Sequence, residues 1–326
     1  MTKNKSGQSL KDALSSVFAV SSLLIALAAS IVIFLFVFGN PLNFEGNNPA
    51  GHPLPGNFLA MIYKGGPIVP LLLTCILVLL IFTIERLITI EYARGGSAGY
   101  ATLKLLLRLA TFVLVVGAFF ALIAKSLVIG FVLLIAAVAV FGVVSLVLNK
   151  YNAGAFLRNL QELLDADKIE EAIIECDKQK GSIANVTRAT LARYRELHND
   201  TKLEKEQKVL ALQKEFDEAA TLEAPMLSKN LVFLSTISSL AVLIGLLGTV
   251  LGMIKAFAAL AQAGAPDALA LANGISEALI NTGFGIGGSA GAIILYNYFS
   301  SVIDGMTFKI DEAGFSIVQT FGASTK

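Results

Sequence analysis

Between Leu231 and Ser300 the chain carries two long apolar stretches, 231–262 and 267–303, joined by Ala263-Gly264-Ala265-Pro266-Asp267. Each is long enough to cross a bilayer as a helix, which takes about 20 residues. Neither is uniformly apolar. The first holds Gly245-Leu246-Leu247-Gly248-Thr249-Val250 and then Lys255; the second holds Glu277, Asn281, Thr282, Gly285, Gly288 and Ser289. At helical spacing, Ser238, Ala241, Gly245, Gly248 or Thr249, and Gly252 form one stripe, and Gly274, Ala278, Thr282, Gly285 and Ser289 form another. Such stripes let a second helix come close. The stretch therefore predicts an antiparallel helix pair with a narrow polar face set against something other than lipid. At 1.5 Å per residue, Thr249 lies roughly 20 Å and Thr282 roughly 22 Å from the connecting turn. The two hydroxyls are thus expected at one depth near mid-membrane. Packing within one subunit, with each threonine bonded to its own backbone, accounts for the small residues by themselves. The ionisable residues ask for more, because a charge in hydrocarbon must pair, snorkel or face water. Lys255 lies near a helix end and can snorkel. Glu277 is deeper and shorter, so it is expected either to pair with Lys255 or to lie on an ion path.

The remainder of the chain fits this setting. With 55% hydrophobic and 15% charged residues among 326, it is too apolar for a soluble domain. The net charge of +1 gives no basis for nucleic-acid binding. The charges concentrate in 150–229, where acids and bases nearly balance, as on a solvated helical block. Cys75 and Cys176 lie in dissimilar surroundings and predict no disulfide and no metal site. His52 and His198 are far apart in sequence, without neighbouring ligand types. No nucleophile–base or metal constellation is found, so the chain is read as a non-enzyme without metal or cofactor.

Ala13–Gly39 has no charge and outlasts a secretory h-region, so it reads as an uncleaved membrane helix, 17–38. The Gly-, Asn- and Pro-rich segment 40–66 reads as loop. Gly65-Gly66-Pro67 opens a second apolar run, 68–84, closed by Glu85-Arg86, and a polar loop follows over 86–108. The run 105–148 is twice the length of one span, and Lys125-Ser126 predicts a membrane hairpin there. In the charged block, Asp167–Glu170 and Thr201–Glu204 match the capping-box spacing and predict helix starts. Gly181 is expected to end the first of these helices. Val209, Leu212, Phe216 and Ala219 predict one apolar stripe on the second, with a break or kink near Pro225. Asp267 is the expected N-cap of the last helix, and 304–326 a short continuation of it.

The expected fold class is therefore all-α: a polytopic helical membrane protein of about six transmembrane helices with long cytoplasmic helical extensions. Six spans put both termini on one side. The Lys and Arg of the N-terminal segment, of 86–108 and of 150–229 assign that side to the cytoplasm. The domain reading is an extra N-terminal helix and periplasmic loop (1–65), a first core helix (66–91) and an extra membrane hairpin (92–149). A cytoplasmic helical domain (150–230), the core pair (231–303) and a cytoplasmic tail (304–326) follow.

The run Gly245-Leu246-Leu247-Gly248-Thr249-Val250-Leu251-Gly252-Met253-Ile254-Lys255-Ala256-Phe257, followed by Gly274-Ile275-Ser276-Glu277-Ala278-Leu279-Ile280-Asn281-Thr282 and Tyr296-Asn297-Tyr298, resembles the MotA/TolQ/ExbB proton-channel family, most of all ExbB. Glu85-Arg86-Leu87 resembles the end of that family's first core helix, so the resemblance covers 66–91 and about 150–303. The chain departs from the pattern at Val242 and Gly291, where the family usually has proline. Helices 17–38 and 105–148 have no counterpart in the usual three-helix subunit. The resemblance implies a ring-forming homo-oligomer, typically a pentamer, in the bacterial inner membrane. Such a ring encloses an ExbD-like dimer that carries the titratable Asp, and a TonB-like transducer carries force to outer-membrane transporters. On that reading Thr249, Thr282, Glu277, Asn281 and Ser289 line the proton path. Gly245, Gly248, Gly252 and Gly285 pack the helices, and Lys255 with Glu277 is a possible ion pair. A TolQ-like envelope-stability motor, a gliding or secretion motor, and a non-conducting membrane scaffold are the alternatives.

Overall fold

The computed structural model describes residues 3–49, 51–95, 106–107, 110–111, 153–198, 203–261 and 267–324. Among these the secondary structure is helical; a single isolated bridge joins Phe44 and Pro53. The long helices are α1 (Lys3–Val32), α3 (Val69–Arg94), α8 (Leu231–Leu260) and α9 (Ala268–Ser324), with a short α2 (Phe58–Tyr63) before α3. Between α3 and α8 come α4 (Ala153–Asp165), α5 (Ile169–Gln179), α6 (Gly181–His198) and α7 (Lys205–Ser228). Four stretches of the described helices are long and apolar enough to cross a membrane: Phe18–Phe38, Gly66–Arg94, Lys205–Leu260 and Ala268–Ser324. The hairpin expected over 105–148 lies outside the described residues, save for 106–107 and 110–111.

The chain divides into two units, Met1–Thr83 with Val232–Asn297, and Ile84–Leu231 with Tyr298–Lys326. In the first unit α1 packs along α3. The hydroxyls of Ser30 and Thr74 lie 2.9 Å apart, and Phe18 meets Phe82 edge-on at 6.1 Å. Phe82 in turn stacks on Phe233 of α8 at 4.2 Å. Ser30 and Thr74 also bond carbonyls of their own helices, so no hydroxyl is left bare in an apolar setting. Residues 40–66, expected as loop, form a compact cap. Two 3₁₀ turns (Pro41–Asn43 and Glu45–Asn47) and α2 enclose Phe44, Ala60 and Ile62. Asn57 caps α2 by accepting from Ala60 N–H at 3.2 Å. The polar residues that mark a loop serve here as its internal bonds. The cap rests on an apolar cluster of Phe38, Ile62 and Val69 with Tyr63, Ile280 and Phe284 around it.

In the second unit the helices α4 to α7 and the end of α9 bury Leu160, Cys176, Leu191, Tyr194, Leu212 and Phe321. The stripe read on α7 faces inward: Leu212 is buried, and Val209, Phe216 and Ala219 are half-buried. The helix boundaries move from their expected places for physical reasons. Helix α3 does not stop at Glu85-Arg86 but runs to Arg94, because Arg86 is buried with its charge met locally. Its guanidinium donates twice to Glu85 at 2.7 Å and to the Leu227 carbonyl at 3.1 Å. Charge ends an apolar run without ending a helix. Asp167 is not a cap: it sits at φ 56° in the turn before α5, whose N-cap position is Lys168. The second capping box is shifted to Glu204, whose side chain accepts from the backbone while Gln207 bonds back to Glu204 N–H at 3.3 Å. Gly181 keeps its expected place: at φ 84° it follows Lys180, the C-cap of α5, where that helix ends, and it also opens α6. Pro225 lies inside α7, and the break comes after it, at Lys229–Asn230, where Asn230 takes φ 66°. The segment after 303 continues the last helix as expected: α9 runs unbroken to Ser324, held by Tyr194 against Phe321 at 4.6 Å and a 3.0 Å contact to the Ser324 hydroxyl.

Candidate functional site

Helices α8 and α9 form an antiparallel pair zipped through glycine. A Cβ on Gly252 would stand 2.7 Å from Ala278 N, and one on Gly274 2.7 Å from Ala256 N. A Cβ on Gly245 would stand 2.9 Å from the Asn281 carbonyl, and one on Gly285 2.8 Å from that of Ala241. The two backbones therefore approach closely at these four glycines, where any side chain would force them apart. The glycines thus meet the partner helix of the same hairpin. Asp267 starts α9 as expected, accepting from Leu269 and Ala270 N–H at 3.0 Å. The connecting residues 263–266 lie outside the described residues.

Polar groups occur at intervals along this seam. The hydroxyls of Thr249 and Thr282 are in direct contact across it, and each is also within 3.1 Å of the carbonyl four residues earlier, of Gly245 and Ala278. Both side chains are half-buried, at the edge of the seam. One face of each threonine thus satisfies its own helix, and the remaining lone pairs stay available. Toward the turn, Lys255 Nζ donates to both carboxylate oxygens of Glu277, at 2.6 and 2.9 Å. The pair is lopsided: the Lys255 side chain is 53% exposed and that of Glu277 10%. Such an arrangement keeps the ammonium near solvent while the carboxylate faces protein.

Asn281 lies behind the threonines, fully buried, in the space that Gly248 leaves free. Its amide donates to the Gly65 carbonyl at 2.9 Å, and its Oδ1 has no partner among the described residues. Ser289, further along α9, is also buried and donates to the Ser238 carbonyl of α8. The residues singled out in the sequence thus fall into two groups. Thr249 and Thr282 meet at the half-exposed edge; Asn281 and Ser289 are enclosed and bond to backbone on other elements. Gly65 and Gly66 were not anticipated as part of the site. Their signal in the sequence was the Gly-Gly pair before Pro67, which reads equally well as an ordinary helix start.

Fold and site together define a class: an all-helical, multi-pass membrane protein whose last two spanning helices are fused through glycine around a row of hydroxyl, amide and ion-pair groups. The MotA/TolQ/ExbB proton channel family matches residues 179–312, which take in α8, α9 as far as Glu312, and all of these groups except Gly65. The biopolymer transport protein ExbB of Pseudomonas putida is 33% identical over 85 residues, 26% of each chain. The Tol-Pal system protein TolQ of Pseudomonas aeruginosa is 39% identical over 83 residues, 26% of this chain and 36% of the relative. The ExbB of Xanthomonas campestris is 29% identical over 109 residues, 33% of this chain and 43% of the relative. The chain therefore spans less than half the length of the curated relatives it matches. The resemblance carried by the glycine–threonine run and its glutamate–threonine counterpart is shown for this C-terminal segment. The first core helix, 66–91, lies outside the matched stretch.

Proposed function

We propose that this chain is the ring-forming subunit of a proton-driven motor in the bacterial inner membrane, with Thr249 and Thr282 lining the proton path. The observation that carries the reading is the meeting of these two hydroxyls at a half-exposed edge, within otherwise apolar helices that match a proton channel family. Neutral hydroxyls can solvate a protonating carboxylate without trapping its proton. Between Leu231 and Ile303 the acids are Asp267, at the turn, and Glu277. A carboxylate at the threonine level must therefore come from another chain. On this reading an ExbD-like dimer inside a homo-oligomeric ring, a pentamer, supplies it. Glu277, Asn281 and Ser289 stand behind or beside the path, and both termini are cytoplasmic.

The output assigned is energising of TonB-dependent outer-membrane transport through a TonB-like transducer. A TolQ-like role in envelope stability is the second reading, favoured by the TolQ relative's 39% identity over a stretch of similar length to the ExbB match. Deleting the gene separates the two: lost nutrient uptake with an intact envelope supports the first, and detergent sensitivity the second. The path itself is tested by proton flux into vesicles holding the chain with its co-encoded partner. Thr249→Val and Thr282→Val are each expected to cut flux about tenfold, the equivalent of one lost hydrogen bond of about 1.4 kcal/mol, with the oligomer intact. Full flux in both variants removes the threonines from the path. No flux in the wild type supports a non-conducting scaffold instead.

A further inference from the structure

On the resemblance above the N-terminal helix has no counterpart in the usual three-helix subunit, yet through the cap that follows it this part of the chain reaches the polar row. We propose that α1 and residues 39–66 form a brace that positions Glu277 and Asn281, with Gly66 as the residue against which the Glu277 carboxylate rests. This rests on the proton-path reading above.

The brace is one bonded body. Phe34, in the π-helical turn Ile33–Phe38 that continues α1, stacks on Tyr63 at 4.8 Å, and Phe44 meets the same ring edge-on at 5.6 Å. The Asn43 amide donates to the carbonyls of Val37 and Phe38 at 2.8 and 3.2 Å, and its Oδ1 accepts from Asn57 at 3.0 Å. Lys64 Nζ donates to the Pro49 carbonyl at 3.2 Å while lying 5.6 Å from the centre of the Phe44 ring. These contacts tie the π-helical turn, the first 3₁₀ turn, Phe44 and α2 together.

The leading corner of this body is Gly65–Gly66, and it presses on α9. The Gly65 carbonyl accepts from Asn281, and a Cβ on Gly65 would stand 2.8 Å from Ile280 Cγ2. Since a carbonyl can only accept, it dictates which end of the Asn281 amide faces it and turns Oδ1 the other way. Gly66 adopts φ 75°, and a Cβ there would overlap the Glu277 carboxylate. The acid is thus confined between Lys255 on one side and bare backbone on the other. A methyl group at 66 has to displace the carboxylate, and with it the geometry of the ion pair.

The test uses the full chain with its co-encoded partner in proteoliposomes, with proton flux read by a pH-sensitive dye. Gly66→Ala is expected to cut flux at least about tenfold, the scale of a small misplacement at a reacting group. Gly56→Ala is the control. It carries the same backbone strain, at φ 80°, but its Cβ meets nothing within 4 Å. Its flux should stay within about twofold of wild type, since strain alone acts on stability. Adding Glu277→Asp, which retracts the carboxylate, should return Gly66→Ala to the flux of Glu277→Asp alone. Equal flux in the Gly66→Ala and Gly56→Ala proteins, or a double variant no better than Gly66→Ala, overturns the brace.

Thermal melts of the same proteins keep this separate from the proton path. Should Glu277→Gln conduct like wild type, or Glu277→Asp not conduct at all, flux no longer reports on the brace and the melts decide. Non-additive melting shifts of Gly66→Ala and Glu277→Asp then support the contact, and additive shifts overturn it.

Discussion

Single residues here are explained by what encloses them. Cys176 is a small apolar core residue on α5, and burial pushes its thiol up to about 12. The folded protein therefore keeps that proton at pH values where an unfolded chain, with a thiol near 8.5, gives it up. The folded state binds more protons in this window, so stability falls as pH rises from about 9 towards 12, by at most about 1.4 kcal/mol per pH unit. Cys176→Ala removes the contribution: the stability gap between it and wild type should narrow as pH is raised above 9. A gap that stays constant to pH 11 contradicts the assignment. Asn281 shows a different dependence. Its residue type and helical position are visible in the sequence, but its partner is a carbonyl 216 positions away. No local pattern announces a bond of that span.

At the scale of elements, the α8–α9 pair is the most legible part of the chain. Its stripes, its N-cap at Asp267 and the shared level of Thr249 and Thr282 all follow from helical periodicity, because side-chain direction in a helix repeats every 3.6 residues. The stripes left open which helix they face, and the backbone approach at Gly252 and Gly274 answers it. Gly252→Val should separate the pair and lower thermal stability by about 1–3 kcal/mol, the usual range for forced overpacking. Gly305→Ala, on α9 with nothing within 4 Å of the added methyl, should leave stability unchanged or raise it. Equal shifts for the two substitutions rule out the glycine seam. Helix ends were read less well. The charges of Glu85 and Arg86 looked like a stop, but buried Arg86 is matched by Glu85 and the Leu227 carbonyl, so α3 runs on. The cap over 40–66 looked like loop because Asn, Gly and Pro mark turns whether or not those turns pack into a body.

For the whole molecule, the outward faces of α8 and α9 matter most. Leu246, Val250, Ile254, Leu279 and Ile286 are exposed along the two helices, and lipid or another copy of the chain can cover them. The ring reading selects copies. Native mass spectrometry of the chain purified with its co-encoded partner should give a fixed number of copies, five on the family pattern, with fewer copies of the partner. A monomer bound to one partner would end the ring proposal.

The sequence alone was enough to establish a helical membrane protein, its polar helix pair and its family resemblance. Those properties depend on composition and on periodicities within one helix. Tertiary structure alone decided that the glycine stripes close on each other, that Glu277 and Lys255 pair, and that the Gly65–Gly66 corner reaches Asn281 and Glu277. The reason is physical: a turn sets the register of two helices and packing sets what an amide or carboxylate meets, and both depend on residues far apart in the chain.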